Sequence, residues 1–201
     1  MILISMAAIF AIGIVGGGFY WYVSAQTVYI DQSEIDAPLI NLSPSGSGVL
    51  ASLFVNAGDT VSVGQPIAQV GNEIVKAKAN GQIVSVNNNI GAFENALTGQ
   101  ATVATMIDPT QLRVVGHLEE NKGLADVHVG APAVFTIDAF GSKKYQGVVD
   151  EVSPTSRQSD VVFNISSQRP TNEFDVYVRF DHSKYPELKN GMSARIWVYK
   201  Q

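Results

Sequence analysis

Runs in which apolar and polar residues alternate, broken by Gly, Asn and Asp, fill most of the chain from residue 48 to residue 106. Alternation with a period of two indicates half-buried strands, and the residues that interrupt it indicate tight turns. The pattern is written twice, in residues 48–70 and 81–106, with the same ten-residue step between the first two glycines of each copy. The sequence therefore predicts two similar β-rich halves, with turn positions at Gly48, Gly58, Gly64, Gly81, Gly91 and Gly99.

Residues 111–201 also contain short strand-like runs, spaced roughly ten residues apart. Turn signals separate them at Gly130, Gly141-Ser142, Pro154, Pro170-Thr171-Asn172, Pro186 and Asn190-Gly191. This spacing favours a small antiparallel barrel or sandwich. Only residues 119–127 have a locally helical pattern, and residues 153–172 are polar enough to predict a long exposed loop or hairpin.

The first 25 residues differ sharply from the rest, because residues 2–23 carry no charged side chain. As a helix this run would span roughly 33 Å, enough to cross the hydrocarbon core of a bilayer. Tyr20-Trp21-Tyr22 lies at its carboxyl end, where aromatic rings favour the headgroup zone. The alternative is a signal peptide cleaved after Ala25. The long apolar run and the missing basic amino-terminal region favour a retained anchor, with the bulk of the chain outside the cytoplasm.

Three parts are therefore expected: a transmembrane anchor in residues 1–25, a sandwich with its leading strand in residues 26–110, and a β-barrel in residues 111–201. The leading strand is the alternating run Thr27-Val28-Tyr29-Ile30-Asp31. A hydrophobic content of 46% excludes wholesale disorder. The net charge of −5 is spread without basic clusters, which argues against a nucleic-acid partner, and the absence of cysteine excludes disulfides and thiolate metal sites.

The duplicated halves resemble the sandwich of biotinyl and lipoyl carriers and of the HlyD and EmrA-like membrane fusion proteins, which are periplasmic adaptors of efflux and secretion pumps. The resemblance to the adaptors begins at Ile40, Pro44 and Gly48 and continues through the later strand motifs in residues 107–120, 129–138, 145–154, 174–181 and 188–199. It implies an all-β protein behind a transmembrane helix, with a lipoyl-like barrel-sandwich hybrid followed by a small antiparallel β-barrel.

The chain departs from both groups between its two halves. Carriers expose a lysine at this hairpin tip for attachment of biotin or lipoate, whereas here the tip is Val70-Gly71-Asn72-Glu73-Ile74-Val75. Lys76 and Lys78 alternate with apolar residues and are expected to be solvated strand residues, so no cofactor is expected. Membrane fusion proteins insert a long α-helical hairpin at this point, whereas here Gly71-Asn72 is expected to close the gap with a short turn.

Catalytic alternatives find little support. The segment around Gly58 and Gly64 also resembles part of the LytM-type zinc endopeptidases, but His117, His128 and His182 lack the spacing that a zinc site needs. His117 and His128 are expected to be ordinary surface residues. Glu119-Glu120 favours a solvated helix start rather than an acid and base pair. We therefore expect a protein that is not an enzyme and has no metal site.

By resemblance, the chain is expected to be an inner-membrane, single-pass periplasmic adaptor that binds a transporter of the ABC, MFS or RND type. It is also expected to form homo-oligomers and to contact lipid through residues 2–23, while the missing hairpin argues against contact with an outer-membrane channel. The resemblance further places Gly191 and Met192 near barrel contacts, the alternative for Met192 being buried core. Two other interpretations of the function remain possible from the sequence: an accessory scaffold that binds only inner-membrane partners, and a degenerate carrier or peptidase-like domain.

Overall fold

The computed structural model describes residues 26–96, 101–158 and 172–200. Within them the chain divides into two compact units. One unit contains the residues up to Ile35, Arg113–Asp181 and those from Gly191 onward, and the other contains Asp36–Leu112 and His182–Asn190. No helix in these ranges is long and apolar enough to cross a membrane. The predicted anchor, residues 2–23, lies outside the described residues, as does Gly99.

The first unit contains six strands: β1 (Thr27–Asp36), β10 (Arg113–Glu119), β11 (Pro132–Ile137), β12 (Lys144–Gln158), β13 (Asn172–Arg179) and β14 (Ser193–Tyr199). They form a closed antiparallel barrel in the order β1-β10-β13-β12-β11-β14. Strict alternation builds it, as in β14, where Ala194, Ile196 and Val198 are buried and the residues between them face outward. Inside, the ring of Phe135 stacks on Tyr145 at 5.4 Å.

The structure differs from the sequence-based expectation in which strands build this barrel. The leading strand β1, expected with the sandwich, pairs with β14 from Thr27 to Glu34. Residues 153–158, expected in a long exposed loop or hairpin, form a hairpin arm: they continue β12, which pairs with β13 as far as Gln158. The helix expected at residues 119–127 is reduced to a 3-10 turn at Leu124–Asp126. Local patterns reveal that a strand exists but do not identify its distant partner.

The second unit contains eight strands: β2 (Ile40–Leu42), β3 (Gly48–Leu53), β4 (Thr60–Val61), β5 (Pro66–Val70), β6 (Glu73–Lys76), β7 (Gly81–Val86), β8 (Phe93–Glu94) and β9 (Ala104–Ile107). They form two four-stranded sheets, in the orders β2-β9-β7-β4 and β6-β5-β3-β8. Their inward side chains share one core that includes Leu50, Ile67, Ile83 and Met106. Residues 182–190, expected in the barrel, group with this unit instead.

The two halves of the sandwich exchange their short strands, so that β4 of the first half pairs with β7 of the second and β8 pairs with β3. The amide of Gly58 donates to the carbonyl of Ile83, and the amide of Gly91 donates to that of Leu50, both at 2.8 Å. Gly58 and Gly91 have φ angles of 96° and 92°, in the left-handed region that side chains rarely adopt. The sequence repeat is thus a structural pseudo-twofold with reciprocal hydrogen bonds.

The first glycine of each half lies where two segments of backbone approach closely. A Cβ atom on Gly81 would overlap the carbonyl oxygen of Ile107, and one on Gly48 would lie 3.0 Å from the amide nitrogen of Gly71. These two positions therefore need glycine because of limited space, whereas Gly58, Gly64 and Gly91 need it because of their backbone conformation.

Candidate functional site: the interaction surfaces

The hairpin between β5 and β6 is closed by a two-residue turn. Val70 pairs with Glu73 across Gly71 and Asn72, and Gly71 has a φ of 56°. This short loop with glycine in its first position matches the type II′ class that suits the twist of paired strands. The turn itself contains no lysine, and the chain passes directly from β5 to β6 without an inserted helix. The structure thus confirms the short turn expected at Gly71-Asn72.

Glu73 ties this tip to the loop that precedes β3. Its carboxylate accepts hydrogen bonds from the backbone amide of Ser45 at 2.9 and 3.0 Å and from that of Gly46 at 3.1 Å. These backbone donors, first Ser45 and then Gly46, lower the pKa of Glu73 because they stabilise its charged form. The tip is therefore a closed, anionic feature, which differs chemically from the exposed amine of a carrier hairpin.

The two lysines after the tip occupy ordinary outward positions. Lys76 is exposed at the end of β6, next to buried Val75 and Ala77. Lys78 donates from its Nζ to the carbonyl oxygen of Asn41 at 2.9 Å. Both lie away from the turn, so neither is presented as a carrier lysine would be.

The outward side of the β6-β5-β3-β8 sheet carries exposed apolar side chains. Val49 on β3 and Phe93 on β8 are cross-strand partners, and Phe93 is 66% exposed. Ile74 on β6 is also exposed and lies opposite half-buried Gln69 on β5. Apolar side chains gathered on one sheet face favour protein contact more than scattered ones do. We call Val49, Ile74 and Phe93 the sandwich face.

Gly191 and Met192 form the turn into β14, as their sequence indicated. Gly191 has a φ of 82°, and its amide donates to the carbonyl of Ile35 at 2.7 Å. The amide of Ile35 in turn donates to the carbonyl of Met192 at 2.8 Å, so the turn is fixed to the end of β1. Met192 is half-buried, so it is neither fully in the core nor fully exposed at the barrel surface. The other described glycines of the prediction lie in the sandwich unit, where Gly58, Gly64 and Gly91 occupy turns. Gly48 and Gly81, also predicted as turn positions, are instead the first residues of β3 and β7.

An aromatic pair lies on the outer side of the barrel. Tyr29 on β1 and Trp197 on β14 are cross-strand partners whose ring centroids are 5.2 Å apart. Beside them, Arg195 makes ion pairs with Asp31 at 3.3 Å and with Asp138 at 3.2 Å. The Tyr29 hydroxyl donates to Asp31 at 2.7 Å, and this hydrogen bond raises the pKa of Tyr29. Local sequence patterns do not reveal this surface, because its two strands lie at opposite ends of the described chain.

The histidines do not gather into a metal site. His117 Nδ1 lies 2.7 Å from Asp175 across β10 and β13, and Arg157 reaches the same carboxylate at 3.3 Å. His117 is therefore a half-buried hydrogen-bond partner of Asp175 and not the ordinary surface residue that was expected. His128 is exposed, as expected. In the parts of the chain that the structure describes, no three His, Cys, Asp or Glu side chains form a group that could hold a metal.

Comparison with curated proteins gives a partial match. A search against models of protein families finds none that matches the chain. The UPF0194 membrane protein YbhG of Salmonella agona strain SL483 and that of Salmonella typhimurium strain LT2 are each 32% identical to it over 87 residues. The match covers 39% of this chain and 25% of each relative, so the chain spans about a quarter of the length of the curated relatives it matches.

Comparison with solved structures covers more of the chain. The periplasmic adaptor protein EmrA superposes with a TM-score of 0.59 and 11% identity, over 88% of this chain and 99% of its own. ZneB from Cupriavidus metallidurans gives 0.63 and 17% over the same shares. A chimera of MacA carrying the α-hairpin domain of Pseudomonas aeruginosa MexA gives 0.68 and 13%, over 88% and 81%. The resemblance expected from the sequence motifs is confirmed, and the chain has the fold of the periplasmic adaptor and membrane fusion proteins.

Proposed function

We propose that this protein is a membrane-anchored periplasmic adaptor subunit of an efflux or secretion transporter, and that it acts by binding rather than by catalysis. The fold shared with EmrA and ZneB over 88% of the chain is the observation that supports this most strongly. Residues 2–23 serve as a single-pass anchor in the inner membrane, with the bulk of the chain in the periplasm or extracytoplasmic space. An inner-membrane transporter of the ABC, MFS or RND type is the expected partner.

The sandwich face is proposed as the contact between copies of this chain. Val49 and Ile74 are apolar and exposed on strands whose opposite sides, at Leu50 and Val75, are in the core. Phe93 is the exposed cross-strand partner of Val49. A second copy that covers them would remove apolar surface from water, which is the main favourable term in most protein association. We expect this contact to stack adaptor subunits around a transporter.

A specific observation favours a second candidate, an accessory scaffold that binds only inner-membrane partners. The tip between β5 and β6 is closed by two residues and fastened to Ser45 and Gly46 through Glu73. Adaptors that reach an outer-membrane channel use a helical arm at this position, and none is inserted here between β5 and β6. Direct contact with an outer-membrane channel is therefore not part of the proposal.

Copurification after cross-linking in native membranes separates these functions. Recovery of a transporter together with an outer-membrane channel supports the adaptor. Recovery of an inner-membrane protein alone supports the scaffold. The intact mass of the protein tests the third interpretation, a degenerate carrier domain, because a carrier would gain the mass of biotin or lipoate on a lysine.

Self-association is tested with a matched pair of variants. Phe93→Glu alters the sandwich face, whereas Val63→Glu alters a residue of similar exposure, 66% against 64%, on a turn of the same unit. We expect Phe93→Glu to reduce the oligomer fraction in cross-linking and analytical ultracentrifugation, while Val63→Glu leaves it unchanged. Equal behaviour of the two variants would remove the sandwich face from the proposal.

A further inference from the structure

On β1 and β14 the outer side of the barrel changes from uncharged to charged residues along the strands. Beginning at the end where the described chain starts, the register of β1, β14, β11 and β12 places its residues in three rows. The first row is Thr27, Tyr199, Pro132 and Val148, the second is Tyr29, Trp197, Val134 and Gln146, and the third is Asp31, Arg195, Thr136 and Lys144. On these four strands the first two rows contain no formal charge, and the third contains three charged residues. Beyond the first row, Val148 pairs on its other side with Arg179 of β13, which makes an ion pair with Asp150. We call the first two rows the aromatic face.

The aromatic face is not part of the barrel core. Tyr29 and Tyr199 are 45% and 41% exposed, whereas their chain neighbours Ile30 and Val198 are fully buried. Isolated apolar residues on a surface need no explanation, but a contiguous group over four strands marks a surface that contacts something apolar. The composition also fits a boundary, because Tyr and Trp combine an apolar ring with a polar group.

The position of this face relative to the chain start limits what can cover it. The carbonyl of Gln26 accepts a hydrogen bond from the amide of Lys200 at 2.9 Å, so strand pairing begins at the first described residue. The uncharged run ends at residue 23, and four residue steps from there to Thr27 span at most about 14 Å when fully extended. The headgroup zone of each leaflet is itself roughly 5–8 Å deep. A retained anchor therefore keeps Thr27 and its cross-strand partner Tyr199 close to the headgroups.

We propose that the aromatic face lies in the headgroup zone of the membrane that holds the anchor, with neutral phospholipid as its partner. The inference rests on the retained anchor of the proposed function. Rings of Tyr29, Trp197 and Tyr199 occupy the zone that such side chains favour. Asp31, Arg195 and Lys144 then remain on the aqueous side, and the nearby ammonium of Lys200 is paired with Asp126 at 3.0 Å. The contact fixes the orientation of the barrel on the bilayer without any transporter.

Fluorescence quenching tests this contact in the full-length chain. The protein has two tryptophans, so Trp21→Phe leaves Trp197 as the single reporter. The variant is reconstituted in phosphatidylcholine nanodiscs without a transporter, using lipid brominated on the acyl chain near the headgroup. We expect the bromines to reduce Trp197 emission by about half, since the ring would lie within the interface. The matched control combines Trp21→Phe, Trp197→Phe and Lys144→Trp, which moves the reporter to the charged row, and we expect little quenching there.

A second variant makes the result specific to the aromatic face. Tyr199→Asp, in the Trp21→Phe background, adds a charge to the first row and should reduce the quenching of Trp197 about twofold or more, because a carboxylate resists entry into the interface. Equal quenching of Trp197 and of the control reporter would overturn the inference, as would loss of the protein from the nanodiscs, which removes the anchor on which it rests. Copurification of a transporter together with unquenched Trp197 would retain the proposed function and assign the face to protein contact.

Discussion

All eight strands of the two sandwich sheets come from one stretch of chain, residues 40–107, whereas the barrel collects its six strands from three separate segments. In the sandwich each half repeats the other, with glycines at matching positions and reciprocal hydrogen bonds. The barrel has no such repeat, and β1 and β14, which pair along its side, come from opposite ends of the described chain. The sandwich is thus built from one continuous, duplicated stretch of chain, whereas the barrel joins segments from separate parts of the chain.

The barrel should be the more sensitive of the two to loss of a core ring. Phe135 is fully buried and packs against Tyr145 and Phe180. Because truncation leaves a cavity, we expect Phe135→Ala to lower the free energy of unfolding by about 3–5 kcal/mol. Denaturant titration followed by Trp197 emission, in the Trp21→Phe background, measures it. Phe93→Ala on the sandwich face is the control, with an expected change within about 0.5 kcal/mol. Similar losses for both phenylalanines would contradict the assignment of the barrel core.

In the sandwich the most sensitive position should be a glycine. Gly81→Ala would place a Cβ against the carbonyl of Ile107 and 2.8 Å from Cε of Met106, so β7 must move away from β9. We expect a loss of about 2–3 kcal/mol, as in other overpacked sites. Amide hydrogen exchange at Ile83 and Gly58 reports the sandwich directly. Gly46→Ala is the control, since its nearest neighbour would be Glu73 Oε2 at 3.8 Å. Unchanged protection in Gly81→Ala would show that the close approach is not required.

The pseudo-twofold predicts equal effects at its two turn glycines. Gly58 and Gly91 share a left-handed backbone and have open space around the position of a Cβ. Valine at either site should therefore cost about 1–2 kcal/mol through backbone strain alone. Asn tolerates this conformation better, so Gly58→Asn and Gly91→Asn should each recover part of the loss. The same exchange measurement compares the four variants. Unequal losses for the two valine variants would show that the symmetry does not extend to energetics.

Much of this architecture follows from sequence, but not all of it. The repeat, the turn at Gly71-Asn72 and the turn at Gly191 are local features, and local alternation or turn residues predict them. The partner of β1 depends on pairing between distant segments, which local patterns do not encode. The same limit hid the interaction surfaces, because Glu73 meets Ser45 from 28 residues away. The aromatic face likewise exists only once β1 and β14 are in register.

Met192 tests whether the barrel turn contacts a partner. Its side chain is half-buried, and its carbonyl is held by the amide of Ile35. We expect Met192→Asp to change the free energy of unfolding by no more than about 1 kcal/mol, because the backbone bond does not depend on the side chain. Association with the transporter or with other copies should weaken, since a soft thioether is replaced by a charge. Circular dichroism and copurification measure the two effects. Met192→Leu should restore association, and unfolding of Met192→Asp would assign Met192 to the core.

The smallest expected effect concerns acid and the closed tip of the sandwich. The folded pKa of Glu73 is lowered, so its contribution is present above the ordinary value of 4.5 and is lost as the pH falls through the lower folded value. The amide resonances of Ser45 and Gly46, which donate to this carboxylate, should shift together with a midpoint below 4.5. Glu73→Gln keeps the shape but cannot titrate, so both shifts should disappear. A midpoint at or above 4.5 in the unsubstituted protein would show that the tip is open in solution. In that case Gly71-Asn72 would still close the hairpin, but the tip would no longer be fastened to the loop before β3.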